Sequence, residues 1–269
     1  MKKMWILLVA LLVMAVSVVP ASAITWGEPD TEHTNVGAMV VDWPDYGPWQ
    51  WCSGTLIHPQ VFLTAGHCTD GLDEYGIETI WVSFDEYALN ELRDVKQVIT
   101  HPEYGWGTTD PHDVGLLILK EPVKTKGKKG IQPAELPDEG FLDTLKAEGV
   151  LSDGPDKAPF TVVGYGGSLN WPPPEITYED ERQVAFSEYR ALSGPWLHLS
   201  QNSKLDNGGT CFGDSGGPTF YEDKKGNETL VGVTSWGDAQ CVATGFYYRV
   251  DIAQTLDFVN GVIAELEKE

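Results

Sequence analysis

The sequence predicts an all-β fold of two small β-lobes followed by one C-terminal helix. Short runs of β-branched and aromatic residues are separated by Gly, Pro, Asn and Asp, a pattern typical of many-stranded antiparallel proteins. Residues 121–158 are rich in Lys, Gly, Pro and Asp, show little periodicity and divide these runs into two groups. Two β-lobes joined by a linker over 121–158 fit this arrangement best.

The linker separates two equal sets of predicted strands. The first lobe covers about 24–120 and the second about 159–250, with six short runs in each. The predicted strands centre on 37–41, 52–57, 61–65, 79–84, 95–100 and 116–119 in the first lobe and on 160–164, 183–187, 196–199, 218–221, 230–235 and 245–250 in the second.

The C-terminal segment departs from the β pattern. Ile252, Leu256, Val259, Ile263 and Leu266 recur at steps of four and three residues, which places them on one face of a helix. We therefore predict a helix over about 251–267 that packs this apolar stripe against the body of the protein.

The first 23 residues have the order of a secretory signal peptide. Lys2 and Lys3 precede an apolar run over 4–19, and Ala21-Ser22-Ala23 supplies an A-x-A cleavage site. The alternative, a membrane anchor, is disfavoured because the run is shorter than the about 18 residues that a spanning helix needs. We expect cleavage after Ala23, a secreted protein (extracellular or periplasmic), and no stable membrane association afterwards.

Composition and charge exclude several classes of partner. The 269 residues include 40 acidic and 18 basic ones, for a formal net charge of -22. A chain this acidic disfavours nucleic acid and anionic lipid, which need clustered Lys and Arg. The one basic cluster, at 124–129, lies among glycines and is interpreted as a solvated loop. The scattered histidines and acidic runs form no metal-ligand pattern, so no metal or cofactor is expected.

A nucleophile motif lies near the end of the chain. Residues 213–217 read Gly-Asp-Ser-Gly-Gly and satisfy G-x-S-x-G, the motif of the α/β-hydrolase nucleophile elbow. That fold places its His after the nucleophile, whereas all six histidines of this chain precede Ser215. The order His, Asp, Ser remains, which is another order known for a catalytic triad.

Two further segments supply the partners for Ser215. His67 ends an apolar run and is followed by Cys68, and a disulfide from Cys68 to Cys52 would fix the backbone beside the imidazole. Asp113 enters the apolar run 114–119, where a carboxylate is costly unless it is paired. Pairing with the Nδ1 donor of His67 is what catalysis requires.

These segments together resemble the chymotrypsin/trypsin-like serine endopeptidases. The resemblance runs from near Ile24 to the C-terminal helix, but residues 121–158 and the Pro-rich stretch around 171–174 match no motif of the family. The matching motifs are CSGTLI at Cys52, LTAGHC ending at Cys68, HDVGLLIL at His112, VVGYG at Val162, CFGDSGGP at Cys211, TSWG at Thr234 and GFYYRV at Gly245.

The resemblance implies two six-stranded antiparallel β-barrels with an active site in the cleft between them. His67 and Asp113 would come from the first barrel and Ser215 from the second. Ser215 would be the nucleophile, His67 the base and Asp113 the group that holds the imidazole tautomer. The N–H groups of Gly213 and Ser215 would form the oxyanion hole.

The resemblance also implies a specificity pocket. Cys211 would pair with Cys241 across it, and the residue six positions before the nucleophile, here Gly209, would form its floor. The remaining residues expected to bind substrate are Thr210, Ser235, Trp236, Gly237 and Gly245. Because none of these is charged, we expect cleavage after large apolar residues, although Asp206 and Asp238 lie near in sequence.

The last implication concerns activation. In the family, a newly freed Ile or Val amine pairs with the Asp before the nucleophile, and here these residues would be Ile24 and Asp214. Signal cleavage itself would then produce the active enzyme. The leading interpretation is a secreted, monomeric serine endopeptidase acting on proteins or peptides. The alternatives are a catalytically silent binding module of the same fold and, less favoured, an exported esterase of another fold.

Overall fold

A computed structural model describes residues 24–127, 130–152, 158–170 and 175–268. The predicted signal peptide, residues 1–23, lies outside the described residues. No helix in the described part of the chain is long and apolar enough to cross a bilayer.

The described chain is built mainly from strands. Helices are short except at the C-terminus: α1 is Gly66–Thr69, α2 is Phe141–Ala147, α3 is Ala253–Leu266, and a 3₁₀ helix spans Ser203–Leu205. The strands are β1 (Glu28–Pro29), β2 (Val36–Trp43), β3 (Gly47–His58), β4 (Val61–Thr64), β5 (Ile80–Ser83), β6 (Arg93–Thr100), β7 (Gly115–Leu119), β8 (Pro159–Gly164), β9 (Ser168–Asn170), β10 (Glu175–Thr177), β11 (Gln183–Ser193), β12 (Trp196–Ser200), β13 (Pro218–Glu222), β14 (Glu228–Gly237) and β15 (Thr244–Arg249).

The first barrel closes in the order β2-β3-β4-β7-β6-β5, with antiparallel pairs throughout. Apolar side chains such as Met39, Leu56 and Phe62 fill it and are fully buried. The pairing of β4 with β7 sets Thr64 opposite Gly115. The residues that follow Thr64 and precede Gly115 therefore lie at the same end of the barrel.

The second barrel closes because β8 pairs with both β11 and β13. Its strands run in the order β11-β12-β15-β14-β13-β8, and β1 adds to β11 from outside. Phe160, Val162, Leu197 and Tyr247 are buried in its core together with Ile24. The predicted fold class, two six-stranded antiparallel barrels with a C-terminal helix, is confirmed.

All twelve predicted strands and the C-terminal helix are present, and the differences are confined to short elements. The strands β1, β9 and β10 have two or three residues each, too few for alternation to be detected. The predicted linker contains α2, a helix of seven residues that begins after Gly140 in the left-handed conformation. A helix of seven residues makes only two turns, which is too short for a helical period to be detected in the sequence.

A buried arginine joins the two barrels to the N-terminal segment. Arg182 is 1% exposed, and its Nε donates to Asp30 Oδ2 at 3.0 Å. Its Nη1 donates to the carbonyl of Phe84 in the first barrel at 3.2 Å and to the hydroxyl of Tyr165 at 3.1 Å. Segments far apart in sequence thus share one buried cation.

His33 extends this network to the second barrel. Its Nδ1 lies 2.9 Å from Asp30 Oδ1 and its Nε2 lies 3.2 Å from Glu228 Oε1 on β14. Burial opposes the charged imidazole, but the hydrogen bonds and charges of both carboxylates raise the pKa of His33 to about 9. The same contacts lower the pKa of Asp30 despite its burial. The protonated imidazole therefore bridges Asp30 to the second barrel at neutral pH.

Removing either partner of the Arg182–Asp30 pair should be destabilising. An Asp30→Asn substitution leaves the buried Arg182 guanidinium without its counter-charge, and Arg182→Met leaves Asp30 with His33 as its remaining cationic partner among the described residues. We expect a loss of about 3–5 kcal/mol in the free energy of unfolding for Asp30→Asn and a smaller loss for Arg182→Met. Urea denaturation of a Ser215→Ala protein measures these losses. The exposed Lys120–Asp94 pair, at 3.4 Å, is the matched control, and Lys120→Met should cost less than about 1 kcal/mol. Equal losses in the two pairs would contradict the prediction.

Candidate active site

His67 lies in α1, the single helical turn that follows β4. Its side chain is 26% exposed, and a disulfide from Cys68 to Cys52 ties this turn to β3. Gly66 packs so closely on the ring of Tyr104 that a Cβ there would lie 2.7 Å from a ring carbon. The imidazole is thus held on a rigid turn at the edge of the first barrel with one face open to solvent.

Asp113 lies at the same edge, two residues before β7, and is fully buried. Its Oδ1 accepts from the backbone N–H of His67 at 2.9 Å, and its two carboxylate oxygens lie 3.0 and 3.1 Å from His67 Nδ1. The hydroxyl of Ser235, on β14 of the second barrel, donates to Asp113 Oδ2.

The surroundings of Asp113 favour its ionised form. Burial alone would raise the pKa of Asp113, but the hydrogen bonds and charge of His67 and the Ser235 hydroxyl hold it below its usual value. An ionised carboxylate on Nδ1 fixes the ring so that Nε2 faces the opposite direction. The edge of the Trp106 ring lies beside this imidazole, with centroids 6.0 Å apart.

Ser215 lies in a turn that is anchored to the first barrel. Its carbonyl accepts from the N–H of Ser53 on β3 at 2.8 Å. The next residue, Gly216, has φ +82°, and a Cβ there would lie 2.0 Å from Thr64 Oγ1 and 2.8 Å from the nitrogen of Ala65. Only glycine permits this approach, which sets the Ser215 turn against the residues that lead into His67.

The peptide before Gly213 is oriented by its neighbours. The carbonyl of Phe212 accepts from the N–H of Gly167 at 2.7 Å, so the trans peptide turns the N–H of Gly213 to the opposite side. The carbonyl of Gly213 accepts from Gln50 Nε2 at 2.9 Å and from Ser53 Oγ at 3.0 Å. Within the described residues, the N–H groups of Gly213 and Ser215 and the hydroxyl of Ser215 have no hydrogen-bond partner.

A cavity of about 140 Å³ opens beside Ser215. A disulfide between Cys211 and Cys241 borders it, which confirms that pairing. Four of the predicted substrate-binding residues line it: Thr210, Ser235, Trp236 and Gly237. The other two predicted residues, Gly209 and Gly245, are not among the lining residues. A Cβ at Gly209 would meet Gln201, and a Cβ at Gly245 would meet the Tyr247 hydroxyl.

The two acidic residues near the pocket motifs have other surroundings. Asp206 is exposed and ends the 3₁₀ helix in the left-handed conformation. Asp238 lines the cavity, but its Oδ1 accepts from the N–H groups of Ala243 and Thr244 at 2.8 and 3.0 Å. Although partial burial would raise the pKa of Asp238, these backbone hydrogen bonds lower it. Its carboxylate is therefore committed to the loop that carries Cys241.

Asp214, beside the nucleophile candidate, is a fully buried carboxylate with a different environment. Its oxygens accept from the N–H groups of Gly166 and Cys211, both at 2.8 Å. Burial nevertheless raises the pKa of Asp214 to about 7, because these two hydrogen bonds only partly offset it. The predicted partner Ile24 is buried in the core of the second barrel, where its nitrogen donates to Gln183 Oε1 at 3.1 Å rather than to Asp214. In the unprocessed chain that nitrogen belongs to a peptide bond.

The described residues place one group of metal-ligand types together: Cys52, His67 and Cys68. Both of its cysteines form the disulfide, so their sulfurs are not thiolate ligands.

A comparison with models of known protein families identifies the family of this chain. The family model described as Trypsin matches residues 26–258, which include every residue of the site above except Ile24. The chain belongs to the trypsin family of serine proteases.

Curated relatives agree with this family. A trypsin from Phaedon cochleariae is 29% identical over 231 residues, covering 74% of this chain and 76% of that protein. A trypsin from Saccharopolyspora erythraea is 30% identical over 213 residues, covering 75% of this chain and 82% of that protein. A tryptase from Mus musculus is 31% identical over 220 residues, covering 74% of each.

A solved structure shows the same fold. The structure described as HL collagenase superposes with a TM-score of 0.67 at 20% identity, covering 90% of this chain and 99% of that one. This trypsin-family chain therefore keeps the two-barrel architecture across almost its whole described length.

Several contacts of the site were missed from the sequence. Ser235 was assigned to the substrate-binding wall, yet its hydroxyl also binds Asp113. Gln50 and Gln183 each bind a partner about 160 residues away, and Trp106 lies in a loop without a motif. Isolated residues with such distant partners leave no local signal in a single sequence.

The raised pKa of Asp214 predicts a pH-dependent stability for the form with a blocked N-terminus. A folded pKa of about 7 against an ordinary 3.8 stabilises the fold below about pH 4, and this contribution is lost as the pH rises through 7. In a Ser215→Ala protein with one residue before Ile24, the free energy of unfolding should fall by up to about 4 kcal/mol over this range.

The matched control for this prediction is Asp214→Asn in the same blocked protein. Asparagine does not titrate, so the difference between the two unfolding curves isolates the carboxylate. Parallel pH dependences for the blocked protein and its Asp214→Asn variant would contradict the prediction.

Proposed function

We propose that this trypsin-family chain is a secreted serine endopeptidase in which Ser215 is the nucleophile, His67 the general base and Asp113 the carboxylate that orients His67. The observation that carries the proposal is the buried carboxylate of Asp113 on Nδ1 of His67, with the Ser215 turn packed against the residues that lead into His67. The substrates are proteins or peptides, and no cofactor takes part.

The proposed reaction begins when Ser215 Oγ attacks the carbonyl carbon of the scissile peptide. Nε2 of His67 takes the hydroxyl proton, and the Asp113 carboxylate stabilises the resulting imidazolium. The carbonyl π electrons move onto oxygen. When the tetrahedral intermediate collapses, the C–N bond breaks and His67 gives its proton to the leaving amine. Water then repeats the sequence on the acyl-enzyme and restores Ser215.

The N–H groups of Gly213 and Ser215 are proposed as the oxyanion hole. Neither has a protein acceptor among the described residues, and the neighbouring peptide is fixed by Gly167 and by the bonds to the Gly213 carbonyl. Donors that are already oriented need no rearrangement as charge develops, and each such donor contributes about 3–4 kcal/mol to lowering the barrier.

The cavity beside Ser215 is proposed as the pocket for the side chain on the acyl side of the cut. Thr210 and Gly237 contribute uncharged walls, and the one carboxylate on its rim, Asp238, already accepts backbone N–H groups. The segment Ser235, Trp236 and Gly237 would pair with substrate backbone. This environment favours large, uncharged side chains over Lys or Arg.

Activation is proposed to follow from removal of residues 1–23. Cleavage would convert the nitrogen of Ile24 into an ammonium group, and a nearby cation would favour full ionisation of the buried Asp214 carboxylate, whose pKa burial raises to about 7. Ile24 is buried in the second barrel, and Thr25 pairs with Gly209 through two hydrogen bonds of 3.0 Å. The segment that follows Ile24 is thus already bound to Gly209, which lies six residues before Ser215 in the sequence.

Covalent labelling tests the nucleophile and separates the enzyme from a catalytically silent binding module. A fluorophosphonate probe should label correctly processed wild-type protein, whereas Ser215→Ala should show no labelling. Ser187→Ala, at a buried serine in β11, is a control for the loss of a serine and should label as wild type does. Folded, processed wild type without Ser215-dependent labelling would favour the binding module.

Defined N-termini test the activation step. Protein that starts at Ile24 should turn over peptide substrate. Protein with Met before Ile24 should lose at least about 100-fold in kcat/KM, because an ionised Asp214 without a cation destabilises the oriented donors beside it. N-terminal sequencing must confirm both forms. Full activity of the confirmed Met-Ile24 form would refute the proposed pairing with Asp214.

A further inference from the structure

The space next to Gly209 is filled by a side chain that belongs to none of the sequence motifs. Gln201 directly follows β12 and is fully buried. A Cβ built on Gly209 would lie 2.2 Å from Gln201 Cγ and 2.4 Å from its Nε2. The amide of Gln201 therefore occupies the volume that a side chain at position 209 would take.

The nitrogen of this amide is engaged on the side of Thr210. Gln201 Nε2 donates to the carbonyl of Thr210 at 2.9 Å and lies 3.3 Å from its hydroxyl. The Thr210 hydroxyl in turn lies 3.2 Å from the buried hydroxyl of Tyr247. Exchanging the amide nitrogen and oxygen would bring two acceptors together at the Thr210 carbonyl, so these contacts determine which atom is the nitrogen.

The oxygen of the same amide is buried and has no hydrogen-bond partner among the described residues. It lies on the side of Gly237, a residue that lines the cavity, and a Cβ on Gly237 would be 3.9 Å from it. A buried carbonyl oxygen without a donor is unfavourable, and a ligand that brings a donor relieves that cost. The oxygen is thus an unpaired acceptor next to Gly237 in the cavity wall, although Gln201 itself is not among the residues that line the cavity.

We propose that Gln201 is a specificity-determining residue, whose amide oxygen accepts a hydrogen bond from the phenolic hydroxyl of a tyrosine on the acyl side of the cut. The inference rests on the proposed endopeptidase function and names its preferred substrate. Tyrosine combines a flat apolar ring with one donor at its far end, which matches uncharged walls next to the unpaired oxygen of Gln201. The Thr234 hydroxyl, which lines the cavity, also has no hydrogen-bond partner among the described residues.

Other side chains fit this pocket less well. Phenylalanine fills the apolar part but leaves the oxygen of Gln201 without a donor. A lysine ammonium would lose its hydration in a pocket whose carboxylate, Asp238, already accepts three backbone N–H groups. We expect kcat/KM for Tyr to exceed that for Phe by about tenfold or more.

The test uses three fluorogenic peptides that differ only in Tyr, Phe or Lys at the cleaved position, with processed wild-type, Gln201→Met and Gln201→Glu enzymes. Wild type should prefer Tyr. Gln201→Met removes the acceptor at nearly constant volume and should bring the Tyr to Phe ratio close to one, while Phe cleavage is retained. Gln201→Glu places a carboxylate next to Gly237 in the cavity wall and should raise kcat/KM for Lys.

Controls separate this inference from the proposed function. Gln97→Met, at an exposed position on β6, should keep the wild-type ratio. Fluorophosphonate titration counts functional Ser215 in each preparation, and absence of labelling in wild type refutes the endopeptidase itself. If labelled wild type has equal kcat/KM for the Tyr and Phe peptides, or cleaves only the Lys peptide, the role of Gln201 is overturned. This outcome does not depend on any variant folding. A labelled Gln201→Met enzyme with an unchanged ratio overturns it as well.

Discussion

The site geometry depends on the buried carboxylate of Asp113, because it accepts hydrogen bonds from both barrels. His67 donates from the first barrel and Ser235 from the second, so the carboxylate is stabilised only when the two barrels are docked. A buried charge with fewer donors would be costly. Docking of the two barrels and orientation of the His67 imidazole are therefore coupled. The network around Arg182 ties the same two barrels together at a second place.

Asp214 shows what happens to a buried carboxylate without such a set of partners. Both carboxylates are almost or fully excluded from water, yet the pKa of Asp113 is lowered and that of Asp214 is raised to about 7. The difference lies in the donors, because Asp214 has two backbone N–H groups whereas Asp113 also has the charge of His67. A carboxylate in this state is stabilised by a nearby cation, and this is the physical basis of the proposed coupling between N-terminal processing and the site.

Much of this arrangement could be predicted from the sequence because its signals are local. The twelve strands that build the barrels are runs of four to six predicted residues bounded by turn residues, and the segments around His67, Asp113 and Ser215 carry recognisable motifs. The short strand β1 and the helix α2 escaped prediction because two to seven residues show no reliable period. The contacts of Gln50, Gln183 and Gln201 escaped for another reason, since each depends on which distant backbone the fold brings alongside.

These three buried glutamines bind groups around the site without adding charge to an acidic protein. The chain has a formal net charge of -22, yet Gln50 holds the Gly213 carbonyl, Gln183 receives the Ile24 nitrogen and Gln201 fills the space at Gly209. An amide donates and accepts hydrogen bonds without adding charge, so it can bind backbone groups beside the two buried carboxylates without repelling them. The carboxylate that lines the cavity, Asp238, is held by backbone N–H groups, so the proposed discrimination between substrates rests on shape and on individual hydrogen bonds. A single amide oxygen can matter to that discrimination, because a buried acceptor without a donor is costly.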